Sequence, residues 1–481
     1  MDELHWRSAG ELARQVRERE VSSRELLEHF LDRVGRRDGP VNAVVTLDAE
    51  RARAEADAAD AATARGEAHG PLHGVPMTVK DSFSTAGMRT TSGAPELSDH
   101  VPTEDAAPVA RLREAGAVIF GKTNLPIYAG DLQSYNDVFG TTHNPYDLER
   151  APGGSSGGSA AALACGFTPI ELGSDIGGSI RFPAHMSGVV GHKPSYAVVP
   201  AHGQIPGPPG TLTQADLAVA GPMARSVQDL VLGLDAMAGP DRWNQPAWRL
   251  ELPPPRQDRL EAYRVATWLD DEFCPVDDEV RGLLEVAADK LAAAGATVAD
   301  GTARPAFTLE KVATTFSRLL SAALAGGYDP GQLDHFAADA SPGAVGDLRR
   351  ATAMRHRDWL SANERRLQMR RRWEEFFESG WDVLLCPVMP RPAVPHDHSE
   401  PMAARRTFFG GQEREYMELL RWSGPAGACL LPATVVPVGL TSDGLPVGVQ
   451  VIGPYLGDRT TLDLAGRLHE ILGGVPHPAG F

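Results

Sequence analysis

"APGGSSGGSAAALACGFTPIELGSDIGGSIRFP", residues 151–183, decides how this chain is read. Glycine and serine at this density suit a flexible linker, because such segments behave as coils. Against that reading, the apolar run "AAALACGFTPIELG" is interleaved with the glycines, and Gly-Gly-Ser recurs, ending at Ser155, at Ser159 and at Ser179. The pattern predicts an ordered loop system set between buried elements.

The flanks extend the pattern. Upstream, "HGVPMTVKDSF" alternates Val75, Met77 and Val79 as a strand does, and delivers Lys80 at its end. "VARLREAGAVIFGKTN" reads as a helix, a glycine and a buried strand over 117–120. Residues 1–68 read as helical, with Ser22 or Ser23 capping the second helix and an Ala-rich, charged, solvent-facing third. Downstream come a strand over 264–269, a helix leading to a strand within 279–298, an Arg-rich helical region over 305–380, and a buried strand in 381–388. Two further strands flank a turn at Asp443-Gly444. This is an α/β chain with a large mixed β-sheet core surrounded by helices. No linker divides it, so 1–481 is read as a single domain: an N-terminal helical segment, 1–68, and a core over 69–230.

Composition narrows the function classes. With 46 basic against 63 acidic residues the net charge is −17, which argues against a general affinity for nucleic acid or an anionic membrane. Cys165, Cys274, Cys386 and Cys429 are widely spaced, and no C-x-x-C pair exists, so neither a disulfide framework nor a zinc site is expected. His143, His185, His192 and His202 show no metal-ligand spacing, so no metal is expected. There is no apolar run of about 18 residues, no signal-peptide pattern and no N-x-[ST] site; a cytoplasmic location is expected. Lysine is scarce: Lys80, Lys122, Lys193, Lys290 and Lys311 are the only ones, the other basic residues being arginine. Arginine replaces lysine as a surface charge but not as a proton acceptor.

Three motifs compete for the chemistry. "GAVIFGKT", residues 116–123, matches the phosphate-loop pattern, which needs a strand before it and a helix after it. Here Ala-Val-Ile-Phe looks like the strand itself, which disfavours nucleotide binding through Lys122. "GGSSG", residues 153–157, matches a nucleophile elbow, but the polar loop "NPYDLERAP" precedes it where a strand should stand; His396 or His398 would have to complete that triad. The third is a long constellation: Lys80 ending an apolar strand, Ser155 in "GGSSGGS" and Ser179 in "DIGGSIR".

At this point the sequence resembles the amidase signature family. The segments "HGVPMTVKDSF", "GAVIFGKTNLP", "APGGSSGGSAAALACG", "ELGSDIGGSIRFPAHMSGVVGHKPS", "AVAGPMARSVQDL" and "LPVGVQVIGP" stand in family order over nearly the whole chain. The resemblance implies a Ser-Ser-Lys triad without cofactor. Ser179 attacks an amide carbonyl, Ser155 relays its proton, and Lys80 is the general base. It also implies a cis peptide at Gly154-Ser155, and an oxyanion hole from the amides of Ile176, Gly177, Gly178 and Ser179. Ser156 rivals Ser155 for the relay, and only the family pattern selects the first of the pair. A lysine can serve as base only if burial disfavours its charged form, and the strand before Lys80 is apolar enough for that. Asp175 and Arg181 are read as bracing the nucleophile loop, and Lys122 and Lys193 as structural.

The substrate is expected to be a small-molecule amide. Tyr128, Gln133 and Trp422, in less regular segments, are the candidate substrate contacts, and aromatic walls there suit an aryl or acyl group. Family members usually follow TNLP with an acidic residue; this chain has Ile127. The expected protein is a free-standing bacterial-type amidase. The alternatives are a glutaminase-type amidotransferase subunit or an acyltransferase passing the acyl group to an amine. A homodimer is compatible with the sequence.

Overall fold

The computed structural model of the protein describes residues 4–205, 207–299 and 301–481. Its centre is one mixed sheet of eleven strands. They are β1 (Val44–Leu47), β2 (Pro76–Lys80), β3 (Val118–Thr123), β4 (Ile170–Asp175), β5 (Val190–Lys193), β6 (Val219–Ala224), β7 (Arg264–Thr267), β8 (Thr297–Val298), β9 (Val383–Pro387), β10 (Ala433–Leu440) and β11 (Pro446–Ile452). Their spatial order is β1-β3-β2-β4-β6-β5-β10-β11-β9-β7-β8. β2 runs parallel to both β3 and β4, whereas β6 is antiparallel to β4 and β5. Helices cover the faces, so every residue of β2, β3 and β4 is buried. Strands covered on both faces read as apolar runs rather than clean alternations.

The 1–68 segment is not wholly helical. Helices Ala9–Arg17, Ser23–Arg37 and Ala49–Arg65 are present, but β1 lies between the last two and pairs antiparallel with β3 at the sheet edge. Val44-Val45-Thr46-Leu47 is a β-branched run too short to stand out between two helical patterns. Ser22 caps the second helix in a reciprocal capping box with Glu25. The third helix is not solvent-facing all round, since Ala52 and Ala56 are fully buried.

The phosphate-loop pattern dissolves into the sheet. Gly121, Lys122 and Thr123 belong to β3 itself. Lys122 is buried, and its Nζ donates to Phe83 O, Thr85 Oγ1 and Thr90 Oγ1. Burial pulls its pKa down to about 8. Its donors are satisfied inside the protein, and the backbone before it is a strand, which offers no cradle of free amides to a phosphate.

Candidate active site

β2 delivers Lys80 into the interior between β3 and β4. Its side chain is fully buried, and Nζ donates to three hydroxyls: Ser155 Oγ at 2.6 Å, Ser156 Oγ at 3.0 Å and Ser174 Oγ at 3.0 Å. Neighbouring Asp81 is elsewhere engaged, accepting from Thr91 N at 3.0 Å and Thr91 Oγ1 at 2.6 Å. Burial pulls the Lys80 pKa down to about 7, against the pull of Asp175 and Glu171. Neither carboxyl is a free counter-ion. Burial pushes Glu171 up to about 8, which weakens it as an anion. Asp175 is held by Arg181, whose Nε and Nη2 donate to its two oxygens at 3.0 and 2.9 Å. Burial alone would raise the Asp175 carboxyl; the guanidinium holds it below its ordinary value. The lysine is therefore surrounded by hydroxyls rather than by anions.

The serine pair sits at the entrance of helix Gly157–Ala164, after a Gly154–Ser155 peptide bond that is cis. Gly154 has to be glycine: a Cβ there would lie 2.6 Å from Gln133 N. Ser134 closes the corner, donating to Gly153 O at 3.0 Å and accepting from Gly157 N at 3.1 Å. The two serines differ in their surroundings. Ser156 Oγ also donates to Ser174 O at 3.3 Å and accepts from Ser174 N at 3.4 Å. Ser155 Oγ meets Lys80 alone among the described residues. Its remaining valence is free, which distinguishes the first serine from the second on structural grounds.

Ser179 follows β4 on the loop 176–179, and the Ser156 amide donates to its carbonyl at 3.1 Å. Both residues are buried, Ser179 at 6% exposure and Ser155 at 1%. No hydrogen bond joins Ser155 to Ser179 among the described residues; catalytic hydrogen bonds of this kind are often formed only with substrate bound. Gly178, at φ 121°, turns the loop, and a Cβ there would strike the Phe182 ring at 2.5 Å. The Asp175 carboxylate ties the loop down, accepting from Gly178 N at 2.9 Å and Ile180 N at 3.2 Å. The Gly178 amide, one of the four oxyanion donors that the resemblance implies, is thus donated to Asp175 in this structure. The amides of Ile176, Gly177 and Ser179 have no acceptor among the described residues. Arg181 is itself buried and reaches Ser423 O at 3.1 Å and Gln450 Oε1 at 3.2 Å. Replacing Asp175 with alanine strands this guanidinium. The expected cost is about 3–5 kcal/mol, read as a lower urea midpoint; an unchanged midpoint would contradict the bracing role.

The three candidate substrate contacts have polar atoms engaged within the protein. Trp422 is fully buried and its indole N–H donates to Cys274 O at 3.1 Å. Gln133 is buried with both ends of its amide engaged, donating to Asp397 O and Tyr416 OH and accepting from Asp397 N. Tyr128 is half-exposed and its hydroxyl donates to Glu96 at 2.6 Å. His396 and His398 pack against His143 and Tyr135 and form no hydrogen bond with either serine, so the elbow triad does not assemble. Ser174 and Glu171 join the site without any signal in the sequence. Both lie on β4, and Ser174 meets a lysine 94 positions away, a pairing that no local pattern encodes. Among the described residues no cluster of His, Cys, Asp or Glu is able to hold a metal ion, and no helix is long and apolar enough to cross a membrane.

A buried lysine ringed by serines, at the end of a strand in a large mixed sheet, is the arrangement of an amidase signature enzyme. The family model described as Amidase matches residues 25–462, and the chain belongs to that family, whose members act on carbon–nitrogen bonds. It is 36% identical over 493 residues to a glutamyl-tRNA(Gln) amidotransferase subunit of Moorella thermoacetica, covering 96% of each chain. It is similar to a crystal structure described as an amidase, with TM-score 0.79 and 31% identity over 97% of this chain and 100% of the other. A bacterial aryl acylamidase of the same family superposes with TM-score 0.80 at 25% identity, over 97% and 96% of the two chains.

Proposed function

We propose that this protein cleaves a carboxamide through an acyl-Ser179 intermediate, with Lys80 as base and Ser155 as relay. The observation that carries the reading is Lys80: buried, without a free counter-ion, with its pKa near 7 and Ser155 Oγ at 2.6 Å. A protonated lysine has three donors for its three hydroxyls. Once neutral it has two N–H groups and a lone pair, so one hydroxyl must donate to it. The short contact and the free valence of Ser155 favour that hydroxyl. Ser179 Oγ then bonds to the carbonyl carbon as its proton passes to Ser155 and the Ser155 proton to Lys80. The carbonyl oxygen, now negative, is met by the amides of Ile176, Gly177 and Ser179. The C–N bond breaks as Lys80, through Ser155, returns the proton to the leaving nitrogen. Water repeats the sequence on the acyl-enzyme.

Two finer readings each have an observation behind them. Curated relatives 33–36% identical to this chain are amidotransferase subunits by name, and this favours a role as such a subunit. The wall beside the nucleophile loop favours a free-standing amidase for apolar amides: Leu320 and Leu420 place Cδ2 at 3.5 and 3.6 Å from where a Cβ on Gly177 would stand. Ammonia release by the isolated chain decides between them. Turnover of neutral aliphatic or aryl amides supports the free-standing enzyme. Turnover of glutamine alone, or none until partner chains are added, supports the subunit.

A further inference from the structure

A cavity of about 850 Å³ is lined by Leu420, Phe316 and Met417; residues 176–179 do not line it, but Leu420 also places Cδ2 3.6 Å from where a Cβ on Gly177 would stand. A second, of about 870 Å³, lies between helix Leu309–Ala323 and helix His356–Glu378, and Thr314 and Arg318 line both. The second is strongly basic. Lys311, Arg318, Arg365, Arg371 and Arg372 line it, against Glu310 and Glu375. Arg371 and Arg372 share the single carboxylate of Glu375, at 3.4 and 2.7 Å. Lys311, Arg318 and Arg365 are exposed and have no ion-pair partner among the described residues. This stands in a chain of net charge −17. A groove lined with one sign of charge focuses the local potential and concentrates ligands of the opposite sign, and guanidinium forks fit the oxygens of carboxylates and phosphates.

We propose that this groove binds the anionic end of the substrate, a carboxylate or phosphate group, joined by an apolar spacer past Leu320 and Leu420 to the amide at loop 176–179. The inference rests on Ser179 being the nucleophile. The substrate class is thus an amide with a hydrocarbon segment next to the carbonyl and a negative charge at its far end. The groove lies on the face of helix Leu309–Ala323 that carries Thr314 and Arg318, whereas Leu320 faces the loop. Since a helix with its side chains is about 10 Å across, short anionic amides do not reach and longer ones do.

The test compares ω-carboxy amides, from succinamate to sebacamate, with neutral alkyl amides of equal length, on the full chain. Above a threshold length, kcat/KM favours the charged series by about tenfold or more, and added salt reduces the preference. In Arg318→Ala/Arg365→Ala the charged-to-neutral ratio of kcat/KM falls about tenfold, carried by KM rather than kcat. Free sebacate and tripolyphosphate compete with the charged amides, and the stronger competitor identifies the carboxylate or the phosphate as the natural group. A fluorophosphonate label at Ser179 is followed in parallel. Normal labelling with an unchanged ratio overturns the groove alone, while absent labelling in the unmodified protein overturns the nucleophile assignment and the groove with it. Inhibition by single-stranded RNA where neither small anion competes would mean a nucleic-acid surface instead, and would also overturn the proposal.

Discussion

A Ser179→Ala protein keeps its fold and loses amide turnover by about 10⁴-fold or more. On the proposed mechanism the loss is large because the Ser179 hydroxyl is the group that attacks the amide carbonyl. Ser155 and Ser156 point to Lys80, and both are more deeply placed. The fold survives because the Ser179 side chain makes no hydrogen bond among the described residues, while the main chain of the loop is held by Asp175 and by the Ser156 amide. Circular dichroism and a thermal melt check the fold, and single-turnover kinetics check the chemistry. Mass spectrometry of fluorophosphonate-treated protein should place the adduct on Ser179. An adduct on Ser155, or an active Ser179→Ala protein, would sink the mechanism.

Lys80→Met lowers kcat by roughly 10²–10⁴-fold, and Lys80→Arg does not rescue it. Arginine carries the charge and the donors but stays protonated at every relevant pH, so a failed rescue separates a base from a structural cation. In the unmodified enzyme the rate follows the neutral fraction of Lys80. It falls about tenfold per pH unit below about 7 and levels off above. A profile that stays flat to pH 5 would exclude a lysine base. Stability carries the same signature. The folded pKa of about 7 lies below the ordinary 10.5, so between these values the unfolded chain binds more protons than the folded one. Lys80 therefore makes unfolding free energy rise with pH across that window. Lys80→Met removes that contribution, which urea titrations at pH 7 and pH 10 would detect.

Local pattern made much of this legible. β2 ends at Lys80, the three Gly-Gly-Ser units are ordered, the strands flanking Asp443-Gly444 form a hairpin, and the phosphate-loop match is a strand. Each depends on neighbours in the chain: apolar periodicity, turn residues, a glycine before a serine. The short edge strand β1 escapes such a reading because its four residues sit between two strong helical patterns.

The parts of the site that escape it depend on distant segments. Gly178 reads as one oxyanion donor among four, yet its amide belongs to Asp175, because the loop closes back on the strand that precedes it. Trp422 and Gln133 read as available for substrate, yet Cys274, Asp397 and Tyr416 already occupy their polar atoms. The basic groove needs two helices, one near residue 315 and one near residue 370, to face each other.

What the sequence determined by itself was the set of reactive residue types, the strand and loops that carry them, and the family they resemble, since these are written in short-range periodicity and spacing. The tertiary structure alone decided that Lys80 lies among three hydroxyls, with the Glu171 carboxyl raised by burial and Asp175 bound to Arg181. The physical reason is that a lysine's proton affinity follows from desolvation and the charges around it, and those surroundings exist only after β2, β3 and β4 have packed together.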